Sequence, residues 1–199
     1  MDHVRRPGFT YMDLDDFEEL LADKPEHEKW ELIGGRVVKM MVGARWSHHR
    51  LVQNINIYLA NRLRERGSPC RTYTETFWLK ERFLGLAVFP DVMVHCGPIE
   101  RDAVSLSDPV VLFEVVSPGS ATRDRIEKED LYRRLPSLAH YVLVERDRAV
   151  VDVLHRADER AWSAPDRVEG LDGILVLPAL QLEIPLREIY HEVIDASGA

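Results

Sequence analysis

Two carboxylates stand where apolar strands do not ordinarily carry them. Asp91 follows Pro90 in AVFPDVMV, at the mouth of an apolar run, and Glu114 lies inside VVLFEVV. An unpaired carboxylate in such a place is costly or takes up a proton, so Glu114 requires a cation, a hydrogen-bond donor or an opening to water. Two carboxylates converging from adjacent strands can hold Mg²⁺, whose oxygen-preferring shell keeps water able to attack a phosphodiester.

Lys128 lies shortly downstream. A helix packed across the strand ends could turn its ammonium towards a scissile phosphate, where positive charge stabilises developing negative charge. It could equally pair with Asp124, four residues earlier on the same helix face. The chain has only five lysines among its 26 basic residues, which draws attention to any lysine in a polar constellation. Glu31 opens WELIGGRVV and is either a third carboxylate at the neighbouring edge or an exposed strand residue. His48, near a helix start, either positions phosphate or Glu31, or is an ordinary hydrogen-bonded histidine. No HExxH and no histidine cluster has zinc-ligand spacing. The chain lacks a phosphate loop, a GxGxxG fingerprint and a GxSxG nucleophile elbow. Trp30, Trp46, Trp78 and Trp162 are scattered, as core or surface-lid aromatics are, rather than grouped as a base-stacking platform.

The elements that must position these residues are legible from periodicity. Thr10 to Leu21 reads as a short helix capped by Thr10 or Asp13. Trp30 to Met41 reads as a hairpin about Gly34-Gly35. From His48 to Arg66, Leu51, Ile55, Tyr58, Leu59 and Leu63 recur at helical spacing, with Ser47 as N-cap and Gly67 as the stop. Arg45, Arg50, Arg62, Arg64, Arg66 and Arg71 in or beside this helix form either a solvated face or a phosphate-contacting surface. Strand patterns follow at Thr74 to Lys80, Leu86 to His95, Val110 to Val116, Tyr141 to Glu145 and Val150 to His155. The turn SPGSAT and a helix lie between the third and fourth. Asp124 and Glu127 have capping-box-like spacing there, Ile126, Leu131 and Leu135 supply an inward stripe, and Pro136 ends the helix. This is the local pattern of an α/β unit added to antiparallel hairpins. A short strand, LQLEI, and a helix from Pro185 close the chain.

The 199 residues, 45% hydrophobic and 30% charged, fit one folded domain, expected over 10–194 with flexible termini at 1–9 and 195–199. No stretch approaches a membrane span or a signal peptide, so a cytoplasmic location with no membrane partner is expected. A net charge of -8 argues against coating nucleic acid through a broad basic surface, though not against a local basic cleft. Cys70 and Cys96 stand in unrelated contexts and are expected to stay reduced.

At these residues the sequence resembles the Uma2 family, also called DUF820 and classed with the restriction endonucleases in the PD-(D/E)XK nuclease superfamily. The matching segments are WELIGGRVV at 30–38, the histidine of SHHRLVQNI at 47–55, FPDVMV at 89–94, LFEVVSPGSATRDRIEKEDLY at 112–132 and LAHYVLVE at 138–145. The resemblance implies an α/β fold with a restriction-endonuclease-like core, a mixed β-sheet flanked by helices with antiparallel hairpins. Asp91 then corresponds to the aspartate of the PD motif and Glu114 to its second acidic residue. The residue two beyond Glu114 is Val116 rather than lysine, so Lys128 becomes the relocated catalytic lysine. Glu31 becomes an auxiliary ligand beside Asp91 and Glu114, His48 a site residue and Asp124 an organiser of Lys128. The implied activity is endonucleolytic hydrolysis of nucleic acid, DNA ahead of RNA, with Mg²⁺ or Mn²⁺. A homodimer would present one site to each strand of a duplex. The alternative is a catalytically weak or inactive protein of this fold that binds metal, nucleic acid or a protein partner.

Overall fold

A computed structural model describes residues 11–40, 43, 45–116, 122–158 and 161–194. The ends expected to be flexible, the turn at 117–121 and the side chain of Asp124 lie outside the described residues. Alternating side chains sort the apolar residues onto the faces of two sheets. A five-stranded sheet has the order β2-β1-β5-β4-β7, formed by β1 (Lys29–Ile33), β2 (Arg36–Met40), β4 (Trp78–Glu81), β5 (Leu86–Val88) and β7 (Ser105–Leu106). A six-stranded sheet has the order β11-β10-β9-β8-β6-β3, formed by β3 (Arg71–Thr74), β6 (Val92–His95), β8 (Val111–Val116), β9 (His140–Glu145), β10 (Val150–His155) and β11 (Asp166–Glu169). A separate hairpin pairs β12 (Ile174–Leu177) with β13 (Leu182–Pro185).

The helices are α1 (Leu14–Ala22), α2 (Trp46–Glu65), α3 (Thr122–Arg133) and α4 (Leu186–Ile189). Strands β8 and β9 are parallel, and α3 makes the crossover that such a pair requires; this is the α/β unit expected from the sequence. Three apolar clusters follow. Leu51, Ile55 and Leu59 of α2 pack on Val111, Phe113 and Val115 of β8, together with the β12–β13 hairpin and α4. On the opposite face, Leu112 joins Leu131, Tyr132 and Leu135 against Ile33, Leu79 and Leu86 of the five-stranded sheet. Leu14 and Phe17 of α1 cover Leu32 and Ala87. Among the described residues no helix is long and apolar enough to cross a membrane.

Several local expectations hold. Asp13 caps α1 by accepting from the Asp16 amide at 2.9 Å. Gly34 and Gly35 take φ of +57° and +78° in the hairpin turn. Gly67, φ +62°, ends α2, and the Ser68 amide donates to the Leu63 carbonyl while the Gly67 amide donates to Arg64.

Other expectations are corrected. The N-cap of α2 is Arg45, with no side-chain cap, rather than Ser47. Thr74 to Lys80 is not one strand but the end of β3, a turn and the start of β4. Leu86 to His95 breaks at Phe89–Asp91, and its halves belong to different sheets. Proline offers no amide to a ladder, and the Phe89 amide donates to a side chain instead. Ile126 is exposed rather than inward, and Glu127 pairs with Arg36 across to β2. Cys70 and Cys96 form a disulfide rather than remaining reduced. The register Arg71↔His95, continued by one residue, sets them opposite one another just beyond the paired ends of β3 and β6, a proximity invisible in contexts 26 residues apart.

Candidate metal centre

The break in Leu86 to His95 builds the site. Strand β6 pairs with β8 in the register Val92↔Phe113, so continuing that ladder by one residue sets Asp91 across from Glu114. The ladder stops there, and Asp91 replaces it with its side chain: Oδ2 accepts the Val115 amide at 2.6 Å. Its Oδ1 lies 3.1 Å from His48 Nε2 in the first turn of α2. A carboxylate only accepts, so Nε2 carries the proton in this contact. The hydrogen bond to Asp91 holds the His48 imidazolium above its ordinary range, against the opposing effect of burial, with further support from the charges of Asp91, Glu75 and Glu114.

Glu114 follows the alternation of β8 onto the face of Leu112, towards α3. There the Tyr132 hydroxyl donates to its Oε1 at 2.9 Å, and Lys128 Nζ stands 3.7 Å from the same oxygen. Lys128 and Tyr132 are four residues apart and share one side of α3. Burial pushes the Glu114 carboxyl up to about 7, because removal from water outweighs the opposing pull of Lys128 and adds to the repulsion of Asp91 and Glu31. Burial also disfavours the Lys128 ammonium, but the charges of Glu114, Glu31 and Asp91 exceed that cost and hold it above the ordinary lysine range. Glu31, on β1 and 1% exposed, meets Lys128 Nζ at 2.9 Å through Oε2 and accepts the Phe89 amide at 2.8 Å through Oε1.

The tertiary structure thus brings together all five of Glu31, His48, Asp91, Glu114 and Lys128, which lie as far apart as 97 positions in the sequence. The basic stretch, by contrast, does not form one surface at this site. Arg62 pairs with Glu65 and Arg66 with the Gln181 carbonyl, near the far end of the 20-residue α2, while Arg50 pairs with Glu192. Trp30 and Trp78 pack beside the α1 cluster and Trp162 beside the inter-sheet core; Trp46 is 62% exposed at the start of α2.

Two members of the site escaped the sequence reading. Glu75 lies in the turn between β3 and β4, and its carboxylate with His48 and Asp91 forms a group whose donor atoms all lie within 4.8 Å of one another. The polar triplet Thr74-Glu75-Thr76 was the available sign of that turn. Tyr132 was visible as the tyrosine one turn beyond Lys128, although nothing in the spacing marked its hydroxyl as a partner of Glu114. One imidazole nitrogen and two carboxylate oxygens suit a divalent cation, and Mn²⁺ tolerates the nitrogen donor better than Mg²⁺ does. Occupation requires a neutral His48, whose protonated form Asp91 favours.

Comparison with known proteins places this geometry in context. The crystal structure of a "putative nuclease belonging to DUF820" from Anabaena variabilis ATCC 29413 superposes with a TM-score of 0.72 at 16% identity, over 92% of this chain and 99% of that one, which establishes a shared fold. Two uncharacterized proteins of Synechocystis sp. (strain ATCC 27184 / PCC 6803 / Kazusa) are similar in sequence. One, slr1290, is 27% identical over 82% of this chain and 87% of its own length. The other, sll1609, is 26% identical over 73% and 82%. The model of the family Uma2, described as "Putative restriction endonuclease", matches residues 14–187, and with that span covering both sheets and every site residue, the chain belongs to the Uma2 family.

Proposed function

We propose that this protein is a metal-dependent endonuclease that hydrolyses phosphodiester bonds of nucleic acid, DNA ahead of RNA. The observation that carries the reading is the convergence of Asp91, Glu114 and Lys128 at the ends of β6 and β8, with Lys128 delivered from α3 rather than from the strand. Asp91, with His48 and Glu75 beside it, would hold the cation, and Glu114 faces the same end of the sheet. A bound Mg²⁺ or Mn²⁺ would supply Lewis acidity and an acidified water.

The protein's own groups do the remaining work. Lys128 places a fixed positive charge beside Glu114, suited to the charge that builds on a phosphate under attack. The Glu114 carboxyl, raised to about 7 by burial, exchanges a proton within the working range of a general base. Tyr132 holds its Oε1 in place by donation. A homodimer would align one such site with each strand of a duplex.

The reading is tested with labelled duplex DNA, single-stranded DNA and RNA in Mg²⁺ or Mn²⁺, comparing the wild-type protein with folded Asp91→Ala. Cleavage by the wild type alone is expected, with duplex DNA cut fastest. Equal turnover by Asp91→Ala would remove the assignment. Cleavage by neither, with Mn²⁺ binding retained, would favour a binding protein of this fold.

A further inference from the structure

Of the buried charged groups gathered at the site, Glu31 is the one whose role the metal reading leaves open. The resemblance implies an auxiliary ligand at this position, yet the group of donors able to surround a cation among the described residues is His48, Glu75 and Asp91, without Glu31. One Glu31 oxygen accepts the Phe89 amide at 2.8 Å, while the other accepts no hydrogen bond and is compensated by the charge of Lys128, whose Nζ lies 2.9 Å away. Lys128 stands closer to Glu31 than to Glu114, at 2.9 Å against 3.7 Å. At 1% exposure Glu31 has no water to fall back on, so losing either partner would leave a buried carboxylate short of compensation. Asp152, also buried, is compensated from the half-exposed Arg167 at the sheet edge; Glu31 is compensated only from inside.

The two contacts join three elements. Phe89 is the first residue after β5, where the chain leaves the five-stranded sheet, and Asp91 follows two residues later at the start of β6. Lys128 belongs to α3. We propose that Glu31 is a positioning residue: its carboxylate clamps the Lys128 ammonium to the backbone that carries Asp91, setting the distance between lysine and aspartate, and it does not itself ligate the cation. This rests on the metal-dependent reading above. Glu31 acts through Lys128 and through the Phe89–Asp91 passage, and the ligands come instead from α2 and the β3–β4 turn.

The test combines Mn²⁺ titration calorimetry, turnover and thermal unfolding on the wild type, Glu31→Gln, Lys128→Met and the double variant, with Asp91→Asn as the ligand control. Glu31→Gln is expected to keep Mn²⁺ affinity within about threefold while Asp91→Asn loses about tenfold or more. It should lower kcat with KM unchanged, and add little further loss when Lys128 is already methionine, since the two then act as one unit. A Glu31→Gln loss of affinity equal to that of Asp91→Asn, or independent, additive losses in the double variant, would overturn the clamp. Absence of turnover in the wild type would count against the nuclease reading, and the unfolding cycle would still decide the clamp: coupled losses support it and additive losses refute it. Should Glu31→Gln fail to fold, anomalous scattering from wild-type crystals soaked in Mn²⁺ decides. A peak bonded to Asp91 and well clear of the Glu31 carboxylate is expected, and one about 2.2 Å from it would overturn the proposal.

Discussion

Glu114 and His48 give the site a pH dependence whose direction follows from their surroundings. Glu114 holds its proton more tightly folded than unfolded, with a value raised from 4.5 to about 7 by burial. The metal-free fold therefore gives up stability as pH rises from the ordinary carboxylate range to about 7. The His48 imidazolium, favoured by its hydrogen bond to Asp91, stabilises fully below the ordinary imidazole value and ceases to do so as pH rises through its higher folded value. Both act in one direction and lower the melting temperature between about pH 5.5 and about pH 8 by roughly 5 °C, a fall set against the rise from the buried His140, whose imidazole is held down to about 4 by burial. Glu114→Gln should flatten that difference in a thermal unfolding series. Affinity for Mn²⁺ runs the opposite way, because a ligating His48 must be neutral; calorimetry should find it rising over the same interval, less steeply in His48→Gln. Lys128→Ala should lower turnover by about a hundredfold or more while changing Mn²⁺ affinity far less; equal turnover would remove Lys128 from the chemistry.

At the scale of elements, two hairpin tips support the strand that carries Glu31. The Gly35 amide donates to the Gly85 carbonyl at 3.0 Å, joining the β1–β2 turn to the β4–β5 connection. Gly85 has φ +55°, and a Cβ there would lie 2.8 Å from Gly35 N and 3.2 Å from Gly35 Cα. Those neighbours are backbone and cannot rotate away. Gly85→Ala should therefore cost about 2 kcal/mol from left-handed strain and the clash together, seen as a melting temperature lower by roughly 5 °C. A change of less than a degree would mean that the two tips part without cost. The β8–α3–β9 crossover serves the chemistry more directly, because it returns α3 over the strand ends, where Lys128 and Tyr132 both reach Glu114.

For the whole molecule, the Cys70–Cys96 disulfide closes the edge of the six-stranded sheet between β3 and β6. Cross-linking residues 26 apart restricts the unfolded chain and is worth about 3 kcal/mol. Reduction, or replacement of both cysteines by serine, should lower the melting temperature by roughly 5–10 °C. Thiol labelling of the denatured, unreduced protein should detect no free cysteine. Because Glu75 lies in the turn just beyond β3, the reduced protein should also bind Mn²⁺ more weakly, which calorimetry under reducing conditions checks.

The amphipathic helix α2, the Gly34-Gly35 hairpin and the β8–α3–β9 unit are legible in the amino-acid order, and Asp91 and Glu114 stand out in it, since periodicity, turn chemistry and misplaced polarity are local properties that need no partner; Glu31, His48 and Lys128 are assigned to the site only through the resemblance to the family. Glu114 stands out because a carboxylate in VVLFEVV must be compensated, and Lys128 because the family pattern lacks its lysine at Val116. The remainder depends on how distant segments pair. Pro90 could mark an irregularity, but only the pairing of β5 and β6 with different sheets shows why the chain breaks there. Glu75 is hidden inside a plausible strand, and Tyr132 inside an ordinary helix face. The disulfide depends on the Arg71↔His95 register. Which carboxylate faces the cation and which holds the lysine is a matter of a few ångströms between elements remote in sequence, and side-chain types alone carry no such distances.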